Sequence, residues 1–173
     1  MKLSKLDRLI LSNQYRILEK LIPEEAEYYE RNRKAIEEGY TLHYEQLTEF
    51  LYDELTEEQC KEVLDILDMY RALTFSFQRL EDKTGIKEYY IKFPGFDGND
   101  ELESKMMGYT RYFINDLNRF DELRDDSRFP DYNSHCKMLG IYRRMLEEWK
   151  RSGNKHDLSK EEIIKIINAG RRM

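Results

Sequence analysis

The chain has 173 residues, of which 40% are hydrophobic and 37% charged, with a net charge of −6. That supplies a core for one compact domain, but no apolar run near the ~20 residues that cross a bilayer, and it is too acidic to coat nucleic acid over its whole surface. Two cysteines, Cys60 and Cys136, form no disulfide framework and lack metal-ligand spacing, so the chain reads as cytoplasmic with free thiols.

Eight glycines and three prolines leave few helix breakers, so long helices are expected. The opening "MKLSKLDRLI" has neither the apolar core nor the cleavage site of a signal peptide. On a helical wheel of residues 3–21, Leu3, Leu6, Ile10, Ile17 and Leu21 share a narrow stripe, with Lys5, Arg8, Ser12 and Glu19 opposite. Ser4 and Asp7 form a capping pair. Asn13 and Gln14 flank the stripe within about 60° of its centre. They are therefore expected at or near a packed seam, with Tyr15 beside them. A buried amide in such a seam fixes register and partner number at some cost in stability. It can also satisfy the backbone of a neighbouring loop.

Pro23 starts a second helix, with Glu24 and Glu25 at its positive end, and Gly39 ends it. Its apolar face is thin (Ala26, Tyr29, Ile36), which suits an outer position. Residues 42–54 read as a shorter helix with Leu47, Phe50 and Leu51 inward. A capping box, Thr56 with Gln59, opens the longest helix, at 56–80. Cys60, Val63, Leu67, Tyr70, Thr74 and Phe77 line one face; Ile66, Leu73 and Leu80 widen it. A helix apolar on two sides belongs at the centre of a bundle.

Residues 85–100, "GIKEYYIKFPGFDGND", interrupt the helical period. Tyr89 to Phe93 read as a short extended segment and "FPGFDGN" as an ordered loop. Asn99 is the expected N-cap of the next helix, which carries Leu102, Met106, Tyr109, Phe113, Leu117 and Phe120 on one face. "RDDSRFPDYN" is a connection. Met138, Ile141, Tyr142, Met145, Leu146 and Trp149 line a further helix, stopped near Gly153. Ser159 and Glu162 cap the last one, with Leu158 and Ile163 at the staple positions. No internal repeat is present.

The runs "RLILSNQYRILEKL", "EEQCKEVLDILDMYRAL", "GFDGN" and "MGYTRYF" occur in an order that resembles the YfbU family of small bacterial proteins, from about Leu6 to Asn168. The resemblance implies a mostly helical cytoplasmic protein. It implies no enzyme activity, because the family has no agreed catalytic mechanism.

Residues that could carry chemistry are few. His43, His135 and His156 form no metal pair, and no cofactor or metal is expected. Cys136 follows His135, but sequence neighbours seldom give the geometry of a nucleophile and its base. Asp65 and Asp68 lie one turn apart with Arg71 a turn further. This polar cluster could do acid–base work, or form ordinary pairs along a helix. "DGNDE" at 97–101 alternates acids but lacks the later residues of a calcium loop. Residues 134–173 hold ten basic and five acidic side chains, which leaves the rest of the chain at −11. Arg143, Arg144, Lys150 and Arg151 are therefore candidate phosphate contacts, although neighbouring glutamates favour a solvated outer face.

The reading is an all-α, single-domain bundle spanning 1–173, with six or seven helices. N-terminal helices fill 1–54, a central helix 56–80, an irregular segment 85–100, and basic helices 134–170. The leading function is a non-enzymatic, self-associating interaction or regulatory protein. A homo-oligomer is expected; a further protein partner is possible, nucleic acid less so, and no membrane. The alternatives are a nucleic-acid-binding regulator using the basic helices, and a hydrolytic or metal-dependent enzyme around Asp65 and Asp68.

Overall fold

A computed structural model describes residues 2–124 and 128–171. The chain divides into two compact units, residues 1–54 and 55–173. The described residues hold six α-helices and no strand; a single bridge joins Phe96 to Asn133. The fold is all-α, as expected.

The first unit is built on α1 (Lys5–Leu21) and α2 (Ala26–Glu38), joined through a 3-10 turn at Pro23–Glu25. Both halves of the Ser4–Asp7 capping box form: the Ser4 amide donates to Asp7 Oδ2 at 2.9 Å and the Asp7 amide to Ser4 Oγ at 3.1 Å. The short connection folds α2 back along α1. Gly39, at φ +79°, closes α2 in the left-handed region that suits glycine.

The expected helix at 42–54 is replaced by two 3-10 turns, Thr41–His43 and Glu45–Thr48, followed by irregular chain. Tyr44, 2% exposed, is the anchor there, while Phe50 and Leu51 are 75% and 74% exposed. A short amphipathic helix draws most of its stability from packing its apolar face. Without that packing, the Thr48 hydroxyl donates to the Glu45 carbonyl and supports the tighter turn.

The second unit surrounds α3 (Glu57–Arg79), whose Val63, Ile66, Leu67, Met69, Tyr70, Ala72 and Leu73 are buried. The Thr56–Gln59 capping box opens it as expected. Around it stand α4 (Glu101–Arg111), α5 (Leu139–Arg151) and α6 (Lys160–Arg171). Buried Leu158 and Ile163 join the same core.

Three local expectations are corrected here. Tyr89 to Phe93 is not extended; a 3-10 turn covers Glu88–Tyr90, and the Ile91 amide donates to the Glu88 carbonyl. The N-cap of α4 is Asp100, whose carboxylate accepts from the Leu102 and Glu103 amides, while Asn99 donates to Asp97. Helix α4 runs into a π turn at Tyr112–Asp116, so Leu117 faces solvent. Phe120 reaches the core only after the chain reverses at φ +54°. The predicted connection around 124–133 includes residues 125–127, which lie outside the described residues.

The loop at 93–98 explains its glycine. Gly95 has φ +86°, and a Cβ there would lie 1.8 Å from the Tyr132 carbonyl oxygen. The Phe96 amide donates to that same oxygen, and the Tyr142 hydroxyl donates to the Gly95 carbonyl. Only glycine lets the two loop backbones approach so closely.

Candidate functional site

Helix α1 buries little of its surface. Its one buried residue is Ser12. The covered stripe of α1 is mixed: Leu11, Tyr15 and Leu18 are half-buried beside Arg8, Ser12 and Glu19. Arg8 donates from Nε to the Ile36 carbonyl at 2.7 Å and from Nη2 to the Glu37 carbonyl at 2.6 Å, occupying acceptors that the end of α2 leaves open. The Ser12 hydroxyl donates to Glu37 Oε1 at 2.6 Å, and Arg16 pairs with the same oxygen at 2.9 Å. Arg33 joins Glu19 at 2.6 Å and Glu37 at 3.0 Å. The Ser12 hydroxyl, then Arg16 and Arg33, hold the Glu37 carboxyl down at about 2.

The apolar stripe of α1 faces away from α2 into open space. Leu6 is 64% exposed, Ile10 50%, Ile17 51% and Leu21 71%, with Leu9 alongside at 58%. Asn13 and Gln14 sit exposed at its middle, and no other described residue hydrogen-bonds to them. They therefore satisfy no backbone group within their own unit. Tyr15 is half-buried with its ring 6.1 Å from Tyr29, so it braces the α1–α2 pair. The stripe is apolar and exposed, with the two amides at its middle.

The acidic and basic candidates of the second unit do not converge. Asp65 pairs with Lys150 at 3.0 Å; Asp68 lies 3.9 Å from Arg71. Arg71 turns to Glu122 and stacks 3.9 Å from the centre of the Phe120 ring. Arg143 makes two bonds to Glu62, at 2.7 and 2.9 Å. Arg144 donates to the carbonyls of Ala169 and Gly170 at the end of α6. Arg151 pairs with Glu148 at 3.1 Å. Asp65–Lys150 and Glu62–Arg143 join α3 to α5, and Arg144 joins α5 to α6. Among the described residues no three His, Cys, Asp or Glu side chains gather as metal ligands. His43, His135 and His156 are far apart in function as in sequence: His156 packs edge-on against Trp149, and His43 lies 3.4 Å from Gln46.

Sequence reasoning missed Glu103. It is 3% exposed. Its carboxylate accepts from the Asp97 amide at 2.9 Å, the Met138 amide at 3.0 Å and the Leu139 amide at 2.8 Å. It caps the start of α5 from another helix and ties the 93–98 loop to both. Its position among the first residues of α4 was its only local signal.

The arrangement defines an all-α chain whose N-terminal helical pair is tied by a charge network and leaves an apolar stripe exposed. The YfbU domain profile matches residues 1–169. The chain is 40% identical over 171 residues to the UPF0304 protein MJECS11 of Methanocaldococcus jannaschii, covering 96% of this chain and 99% of that protein. The chain belongs to the YfbU family. No described helix is long and apolar enough to cross a membrane.

Proposed function

We propose that this chain is a non-enzymatic, self-associating protein, and that the apolar stripe of α1 pairs with the same stripe of a second copy. The observation that carries the reading is the second apolar stripe of α1, Leu6, Ile10, Ile17 and Leu21, which stays exposed. Asp65, which an enzymatic reading needs, pairs with Lys150, and Arg143 of the phosphate candidates is held by Glu62.

Two features argue for a second copy, antiparallel to the first. The stripe is a pseudo-palindrome about the point between Asn13 and Gln14. A two-fold axis there sets Leu6 opposite Leu21 of the second copy and Ile10 opposite Ile17. The amides then meet amides at the centre, which fixes the register. The ends are also complementary in charge. Lys2 and Lys5 stand at the start of the stripe, Glu24 and Glu25 beyond its end; antiparallel pairing brings these together, whereas parallel pairing stacks like on like.

The gain is bounded. Covering the exposed halves of five aliphatic side chains on each copy contributes on the order of 10 kcal/mol. Association itself costs a similar amount. The dimer is therefore expected to dissociate on dilution.

Light scattering over a dilution series tests this. The wild-type chain should run as a dimer at high concentration and shift towards monomer on dilution. The double variant Ile10→Glu, Ile17→Glu should be a monomer throughout with unchanged helical content, because both side chains already face solvent within the chain. A wild-type chain that stays monomeric at its highest soluble concentration would refute the proposal.

A further inference from the structure

The second unit holds a cavity that self-association does not use. It has a volume of about 690 Å³ and opens between the turn at Glu88–Tyr90, the loop at 129–138 and the helices α5 and α6. That size is in the range of small-molecule sites. Its wall is aromatic: Tyr89 lies 5.5 Å from Tyr90 and 5.9 Å from Phe129, ring centre to ring centre. Tyr70, Met145 and Ile167, all buried in the core, contribute to its lining.

The charge of this lining runs against that of the chain. Lys92, Arg144 and Arg171 line the cavity, and no carboxylate among the described residues does, although acids outnumber bases by 35 to 29 overall. Lys92 leans to Glu88 at 3.9 Å. Arg144 is held in place by its two bonds to α6, through Nε and Nη2. Its Nη1 group meets no acceptor among the described residues. Arg171 lies 4.8 Å from the centre of the Tyr90 ring and has no carboxylate partner among the described residues.

We infer that this cavity binds a small aromatic anion. A flat ring packs against Tyr89, Tyr90 and Phe129, and one anionic group meets Arg144 and Arg171. Guanidinium groups recognise carboxylate, sulfonate and phosphate alike through charge-assisted hydrogen bonds, and aromatic walls favour offset or edge-on contact with the ring. A neutral aromatic molecule would fill the wall but leave the cations without a partner. An aliphatic anion would leave the rings uncovered.

Cys136 serves as a reporter, because it lines the cavity and is exposed, whereas Cys60 lies elsewhere and is half-buried. The test titrates the full chain with anilinonaphthalene sulfonate and with phenylnaphthylamine, its uncharged counterpart. Bound sulfonate should slow alkylation of Cys136, followed by peptide mass spectrometry, and leave Cys60 unchanged. Arg171→Gln should weaken the sulfonate by about tenfold, the loss of one charge-assisted contact, and change the neutral compound little. Tyr89→Ala should weaken both. The Ile10→Glu, Ile17→Glu variant, which removes the apolar stripe of α1, should still protect Cys136. If saturating sulfonate leaves Cys136 alkylation unchanged, or Arg171→Gln leaves the sulfonate affinity unchanged, the inference is wrong.

Discussion

Single side chains decide how the second unit holds together, and Glu103 carries the largest individual load. Three backbone amides from two loops converge on its buried carboxylate. Glu103→Ala would leave them without acceptors, at about 1–3 kcal/mol for each buried donor. The expected loss is about 3–5 kcal/mol in a denaturant titration, with Glu103→Gln less severe because its amide oxygen still accepts. The capping pairs Ser4–Asp7, Thr56–Gln59 and Ser159–Glu162 were legible because donor and acceptor lie three residues apart. Glu103 was not, because two of its partners lie more than thirty residues downstream and no local spacing announces such a cap. Asn13 makes the opposite case: the wheel placed it beside an apolar stripe, and the structure leaves that stripe open. Asn13→Leu should keep or raise thermal stability while changing the distribution of oligomer masses, as measured by light scattering. A variant that unfolds with an unchanged mass distribution would assign the amide to local packing instead.

Among the elements, the α1–α2 pair combines apolar contact (Ile36 buried, Tyr15 against Tyr29) with a charge network. Glu37 is its hub. Its carboxyl titrates at about 2 in the folded chain against an ordinary 4.5, so its contribution is complete above about 4.5 and disappears as the pH falls towards 2. Thermal stability followed by circular dichroism should drop across that window. Glu37→Gln should be less stable at neutral pH and lose less on acidification; an equal acid-induced loss in both would count against this role. The loop at 93–98 makes a second prediction. Gly95→Ala places a methyl group inside the Tyr132 carbonyl and strains a positive φ, so it should cost at least as much as the Glu103 substitution or prevent folding. Periodicity located the long helices and their inward faces, because a stripe that is buried repeats every three to four residues. It misread 42–54, where the same stripe is present but nothing in the unit covers it, so the chain turns in 3-10 geometry and Phe50 and Leu51 stay exposed. Residues 85–100 showed their irregularity through Gly and Pro, but not that Tyr89 and Tyr90 would form the wall of a cavity with Phe129, forty residues away.

At the scale of the whole molecule, the candidate site was half legible. The sequence marked the α1 stripe and its two amides; it did not reveal that this stripe would stay exposed while the side with Leu11, Ser12, Tyr15 and Leu18 is covered, because a wheel shows two faces without saying which meets the neighbour. The candidate acids and bases had equal standing in sequence; Asp65 turned out to pair with Lys150, while Arg143 pairs with Glu62 and Arg151 with Glu148. The central claim is an antiparallel pair of α1 helices from two copies, and cross-linking tests its register directly. In a Cys60→Ser, Cys136→Ser background, an Ile10→Cys chain is mixed with an Ile17→Cys chain and treated with a short bifunctional maleimide. The account predicts that the mixed pair links efficiently and that Ile10→Cys alone does not. Efficient linking of Ile10→Cys to itself, with no mixed product from the combined chains, would contradict the antiparallel register.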